Sequence, residues 1–256
     1  MIKTFFSSLR IIFYLFILVL VYVFYLSRDL PSLERLETFD PAMLSTLYDR
    51  NGEVIGEFYI QKRVFVDIED MPNHLKNAAI ASEDKRFYSH WGVDLQSFFR
   101  AVVVNVSSMS FRQGFSTLSQ QLARNLYKEV GFKDSITRKL KEMITAIQIE
   151  RTYTKDEILE MYLNTVHFGH GTYGAESAAK RFFNKNASDL TIGESAMLIG
   201  LLPSPANYSP LRNLNKAIGR RSIVLKLMYN QDFISVSYTH LRAHETSLHL
   251  VCRLLL

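Results

Sequence analysis

The feature that most constrains this chain is the run Ile11–Leu26 (IIFYLFILVLVYVFYL), 16 residues without a charge. As helix it extends about 24 Å, against a hydrocarbon core of about 30 Å. Phe5, Phe6 and Leu9 lengthen the apolar stretch, and Arg10 can snorkel to the headgroups. A cleaved export signal is the competing reading, but no small-x-small site follows in Tyr25-Leu26-Ser27-Arg28-Asp29. Residues 1–28 are therefore expected to be a cytoplasmic N-terminus and one uncleaved transmembrane helix. Lys3, Arg10 and the amino terminus precede the run, whereas Arg28 and Asp29 cancel after it. That bias sends everything beyond residue 30 to the far side of the membrane.

What remains must fold outside the cytoplasm without a covalent staple. Cys252 is the single cysteine, so no intrachain disulfide can form. With 256 residues and 48% hydrophobic content the chain can afford an anchor and one domain. A domain of ~200 residues buries roughly 70% of its unfolded surface, enough for packing alone. A charged fraction of 21% excludes a disordered tail or a coiled coil. Lys and Arg total 30 against 25 Asp and Glu, a mild excess that suits anionic lipid or a phosphate-bearing ligand and is too small to indicate nucleic acid.

Residues 29–44 carry Pro31 and Pro41 among alternating charges and read as a connector. The stretch 45–67 reads as β, with Asn51-Gly52 turning between two strands and Val64-Phe65-Val66 following. From Pro72 onward helical periodicity takes over. Leu118, Leu122 and Leu126 form one apolar face; Ile136, Leu140, Met143, Ile144 and Ile147 form another; Ile158, Met161 and Tyr162 form a third. Ala175–Phe183, Ile192–Leu202 and Ala217–Tyr229 complete a mainly α domain with a small β entry, spanning 45–235.

Three constellations offer chemistry. Glu83-Asp84 closes an apolar helix and meets Phe87, Tyr88, His90 and Trp91, surroundings that raise a carboxylate's pKa toward general-base or general-acid use. A solvated helix end paired to Lys85 and Arg86 is the plain alternative. In Gln113–Asn125, Ser116 or Thr117 can cap a helix on which Thr117, Gln121 and Arg124 share a face beside Ser116 and Gln120. Hydroxyls, carboxamides and a guanidinium suit a phosphorylated sugar, and equally an ordinary polar face. Arg138-Lys139-Leu140-Lys141-Glu142 is either an i,i+4 surface pair or an anion clamp holding an acidic group.

Two further patterns carry less. Gly169-His170-Gly171-Thr172-Tyr173-Gly174 has dinucleotide-loop spacing, but the segment before it reads as helix rather than strand. His240, His244, His249 and Cys252 are metal-ligating types without an apolar pattern to fix them.

Taken together, these segments resemble the peptidoglycan glycosyltransferase domain of family 51, found in class A penicillin-binding proteins and in monofunctional transglycosylases. Five motifs occur in that family's order: Glu83-Asp84-x-x-Phe87-x-x-His90-x-Gly92-x-Asp94, Gly114-x-Ser116-Thr117-x-x-Gln120-Gln121, Arg138-Lys139-x-Lys141-Glu142, Tyr162-Leu163-Asn164 through Gly171-x-Tyr173-Gly174, and Glu194-x-Ala196 through Pro203 and Pro205. The resemblance implies a lysozyme-like fold and polymerisation of lipid II into β-1,4-linked glycan with release of undecaprenyl pyrophosphate. It makes Glu83 the general base and Glu142 the second acidic residue, with Arg138 and Lys139 neutralising the leaving group. Asp84, Phe87, His90, Ser116, Thr117, Gln120, Gln121 and Arg124 are the implied substrate contacts. Phe111, Phe115 and Leu118 are expected to dip into the membrane interface. The implied partners are lipid II, the nascent glycan strand, membrane lipid and other cell-wall synthesis proteins. The implied location is the bacterial cytoplasmic membrane with the domain periplasmic or extracellular. No cofactor is required; Mg²⁺ or Mn²⁺ could assist at the pyrophosphate, without dedicated protein ligands. A glycan-cleaving hydrolase or lytic transglycosylase, and a non-catalytic anchored binding protein, are the rival readings.

The chain departs from the family pattern in places. Phe115 stands where a small residue is usual, and Phe182-Phe183-Asn184-Lys185 replaces Tyr-Phe-Gly-Lys. Residues 236–256 resemble a translated cloning adapter, which would make the His/Cys cluster foreign. The entry segment Tyr48–Gly56 is similar to that of bifunctional class A proteins, so the chain reads as C-terminally truncated, lacking the transpeptidase domain and its activity.

Overall fold

In a computed structural model the chain is described continuously over residues 64–109, 114–127 and 136–235, with 45–51, 54–58 and part of 10–30. The expected tail, 236–256, lies outside these residues, as does most of the 29–44 connector. Arg10 and the described positions between Phe13 and Ser27 are helical, Arg28 lies in a turn, and the other residues of the expected anchor lie outside the described ones. No helix among the described residues is long and apolar enough to cross a membrane.

The domain is mainly helical. Strands β1 (Ser45–Tyr48) and β2 (Val54–Phe58) pair antiparallel, and Asn51 N–H closes their turn on Asp49 Oδ1 at 2.8 Å. The expected third stretch, Val64–Val66, is not a strand. Its backbone is paired instead by a side chain: Asn164 Oδ1 accepts from Val66 N at 3.0 Å, and Asn164 Nδ2 donates to Val66 O at 2.8 Å. One amide thus replaces a neighbouring strand, satisfying both backbone groups.

Helices α1 (Asn73–Glu83), α2 (Leu95–Ser107), α3 (Leu118–Leu126), α4 (Ile136–Thr152) and α5 (Lys155–Thr165) follow. Their starts are written locally. Asp94 caps α2 by accepting from Ser97 N, Thr117 caps α3 by accepting from Gln120 N, and Thr154 with Glu157 forms a capping box on α5. Hairpin β3 (His167–Gly169) and β4 (Thr172–Tyr173) takes up the glycine-rich loop. Gly174, at φ +80°, ends it where a Cβ would lie 2.7 Å from Asn164 O. Helices α6 (Ala175–Phe183), α7 (Ile192–Leu201), α8 (Pro205–Tyr208) and α9 (Leu214–Tyr229) complete the chain.

Two packed groups share one core. Helices α1, α7 and α9 meet through Leu75, Ala79, Leu198, Val224 and Met228, while α3 packs on α4 and α5 through Leu122, Ile149 and Ile158. Each such aliphatic side chain contributes roughly 1.5–3 kcal/mol on burial.

Two helices do not follow the apolar pattern. The buried face of α4 is Glu142, Thr145, Ala146 and Ile149, while Ile136 of the apolar stripe is 83% exposed. Helix α2 buries only Ala101 and turns Leu95, Phe99, Val103 and Val106 outward. Leu118, expected at a membrane interface, is wholly buried, because it opens α3 directly against the core. Phe115 is half-buried, and Phe111 lies outside the described residues.

Candidate active site

Glu83 is the last residue of α1, where helix geometry ends and the side chain leaves the core for a cleft of about 830 Å³. Glu83, Phe115, Ser116, Arg100 and Arg220 are among the residues that line it. Glu83 Oε2 accepts from Gln121 Nε2 at 3.0 Å, and Ser82 Oγ stands 3.4 Å from Oε1. Burial pushes the Glu83 carboxyl above the ordinary glutamate range, and the Gln121 hydrogen bond and the Arg220 charge only partly offset this. No cation forms an ion pair with it among the described residues.

Glu142 has the opposite surroundings. It is wholly buried, and Arg138 Nη1 one turn back pairs with its Oε1. Lys139 Nζ donates to Oε2 at 2.9 Å, and Arg124 Nη1 approaches Oε1 at 3.8 Å. Three cations thus converge on one carboxylate. Lys139 Nζ also donates to Ser116 Oγ at 2.6 Å and lies 5.1 Å above the Phe115 ring, whose other neighbour is Phe98 at 5.0 Å. Burial lowers the Lys139 pKa, which its bond to Glu142 resists. The i,i+4 spacing in the sequence is therefore part of a half-buried cationic cluster around a buried carboxylate and not a solvated surface pair.

Behind these groups runs a buried polar frame. Asp84 Oδ2 accepts from His90 Nε2 at 2.8 Å and from Leu118 N at 3.0 Å. His90 Nδ1 accepts from Gly92 N at 3.1 Å, which leaves the ring proton on Nε2, facing Asp84. Thr117 Oγ1 donates to Gly92 O at 2.7 Å. Gly92 sits at φ +103°, and a Cβ there would lie 2.8 Å from Ala146 O on α4. One residue without a side chain thus holds the first, second and third motifs together.

Of the residues expected to contact substrate, Ser116, Asp84 and Thr117 line the cleft, Gln121 reaches Glu83, and Arg124 approaches the buried Glu142. Phe87 is wholly buried, with Lys155 Nζ 4.6 Å above its ring, and His90 is buried against Asp84. Gln120 is wholly buried, and its amide has no hydrogen-bond partner among the described residues. Arg220 and Arg100 belong to the site without having been singled out, and Tyr162, named only as part of the fourth motif and an apolar stripe, joins them. Arg220 and Arg100 look like ordinary surface cations in the sequence, and Tyr162 like a member of an apolar stripe.

Two Ser-x-x-Lys spacings occur, and neither makes a serine–lysine contact among the described residues: Ser82 lies against Glu83, and Lys180 pairs with Glu176 at 2.9 Å. No group of three or more metal-ligating side chains occurs among the described residues. The donor set at the cationic end does not suit Mg²⁺ or Mn²⁺, because both oxygens of Glu142 are already taken by arginine and lysine.

Residues 51–229 match the model of the transglycosylase family. Penicillin-binding protein 1A of Neisseria gonorrhoeae is 45% identical over 207 residues, covering 81% of this chain and 26% of that protein. The protein of the same name from Aquifex aeolicus is 39% identical over 227 residues, covering 89% and 31%. The crystal structure of penicillin-binding protein 1A from Haemophilus influenzae is similar over 81% of this chain and 21% of its own, at 24% identity and a TM-score of 0.46. The chain thus spans about a quarter to a third of the length of these curated relatives. A matched stretch that contains both carboxylates, the cationic cluster and the frame joining them leaves one assignment: the chain belongs to the transglycosylase family.

Proposed function

We propose that this chain is a peptidoglycan glycosyltransferase that polymerises lipid II, with Glu83 as general base. The supporting observation is the contrast between the two carboxylates. Glu83 faces a cleft with a neutral amide donor as partner and a raised pKa, the condition for accepting a proton near neutral pH. Glu142 is wrapped by three cations, the condition for receiving a pyrophosphate.

In the proposed step the 4-hydroxyl of the acceptor GlcNAc attacks C1 of the donor MurNAc. The new C1–O bond forms as the bond from C1 to the pyrophosphate oxygen breaks, and the linkage inverts from α to β. The hydroxyl proton passes to Glu83, and the electron pair leaves on undecaprenyl pyrophosphate. Arg138, Lys139 and Arg124 take the charge that develops there, and Ser116, held by Lys139, sits beside them to orient a phosphate oxygen. Glu142 keeps those cations in one arrangement. No step is assigned to a divalent ion.

A lysozyme-like head held on a membrane suits a polyprenyl substrate that stays in the bilayer. The uncharged N-terminal run and the outward apolar face of α2 support that placement, and Tyr22 OH lies 3.1 Å from Thr137 Oγ1 on α4. The domain then works on the outer face of the bacterial cytoplasmic membrane.

The deciding experiment supplies labelled lipid II to the membrane-extracted chain and to its Glu83→Gln variant. Polymer from the first and a rate lower by about 10²–10⁴-fold from the second is the expected result. Shortening of pre-formed glycan in place of polymer would establish a hydrolase or lytic enzyme, and undiminished polymer from Glu83→Gln would remove the base assignment.

A further inference from the structure

We propose that Tyr162 is a positioning residue: its hydroxyl fixes the direction of the Gln121 amide so that Glu83 always meets a hydrogen-bond donor. The inference rests on the reading of Glu83 as the base.

Three side chains from three helices form a directed line. Tyr162, on α5, is wholly buried, and its hydroxyl donates to Gln121 Oε1 at 3.2 Å. Gln121, on α3, then presents Nε2 to Glu83 Oε2 at 3.0 Å. A carboxamide can turn over, exchanging its oxygen and nitrogen ends. Turned over, Gln121 would point an oxygen at Glu83 and an NH₂ at Tyr162. Glu83 would then be favoured as a protonated acid that donates, the state opposite to a base. The Tyr162 hydroxyl makes no other hydrogen bond among the described residues, so in that arrangement its proton would be buried without an acceptor. Burial keeps the phenol protonated throughout, with a pKa well above the usual tyrosine value, so the hydroxyl remains able to donate. The tyrosine therefore biases Gln121 toward one orientation, and through it biases Glu83 toward the ionised form.

The charged groups facing this line are Asp84 beside Glu83, Arg220 from α9 and Arg124 on α3. None is altered by removing one phenolic oxygen, so a change in the titration of Glu83 reports on the amide.

The test uses the whole chain with lipid II and follows kcat and KM against pH. Tyr162→Phe is expected to lower kcat by about 10-fold near neutral pH with KM little changed. Its acid limb should move up by about one pH unit, so that activity recovers in alkaline buffer. In a Gln121→Leu background the same substitution should have no further effect on kcat or on the limb. A difluorinated tyrosine incorporated at position 162, a stronger donor of similar shape, should move the limb down; it also serves if Tyr162→Phe does not fold. An unmoved acid limb in both the phenylalanine and the fluorinated chains, or an equal loss in the Gln121→Leu background, would overturn the proposal. Failure of the unaltered chain to make polymer would instead count against the function itself.

Discussion

The Thr117 hydroxyl donates to the carbonyl of Gly92 at 2.7 Å while also accepting from Gln120 N at the start of α3. One side chain therefore both begins the helix that carries Gln121 and Arg124 and fastens that helix to the loop beyond Glu83. The cleft depends on this fastening, because the two carboxylates belong to α1 and α4 and meet only through what lies between them.

Thr117→Val keeps the shape of the side chain and removes both bonds. It is expected to lower stability by about 1–2 kcal/mol, the usual cost of a lost cap, read from urea unfolding. Polymerisation should fall further than that stability loss explains, because Gln121 and Arg124 move with α3.

Gly92→Ala is a harsher change. Alanine at φ +103° is strained, and its methyl group would collide with Ala146 O. Strain and overpacking together should cost about 3 kcal/mol or more, seen as a large drop in thermal midpoint. A drop of less than a degree would mean that α4 yields freely at this point.

Glu142→Gln leaves Arg124, Arg138 and Lys139 crowded around a neutral amide. Breaking a buried ion cluster from one side typically costs about 3–5 kcal/mol, and this variant should lie near the lower end because the amide still accepts hydrogen bonds. Added phosphate should restore part of the lost thermal stability, since an anion can take the vacated charge. Equal melting with and without phosphate would argue against an anion site.

Glu83→Gln should affect stability with a pH dependence of definite sign. The folded state holds the Glu83 proton to higher pH than the unfolded chain does, so folding is opposed as pH rises above the ordinary value of 4.5. The variant, which cannot ionise there, should melt a few degrees above the parent chain at pH 7–8. The two should converge below about pH 4, where both carry a neutral group. A variant less stable than the parent at pH 8 would contradict the raised pKa.

The legible part of this fold was local. The faces of α3 and α5 and the cap at Thr117 are set by residues within a few positions of each other, and sequence spacing registers them directly. The contacts that complete the site join distant positions. Asn164 supplies the missing strand for Val66 from 98 residues away, and Tyr162 reads as one more apolar position until its hydroxyl is seen to end on Gln121. Helix α4 misleads for a different reason. A carboxylate on its inner face is tolerated because cations from its own preceding turn and from α3 surround it, so hydrophobic periodicity points to the wrong side.

The crowding of cations around Glu142 also bears on turnover. On the proposed reading, charges placed to receive a departing pyrophosphate hold it more firmly once the bond has broken, because the freed group carries more negative charge. A glycosyltransferase built this way would bind its spent carrier well, and escape of that carrier would compete with chemistry as the slow step. High salt, which weakens such attraction, should then speed each cycle up to the point where it begins to starve the site of substrate.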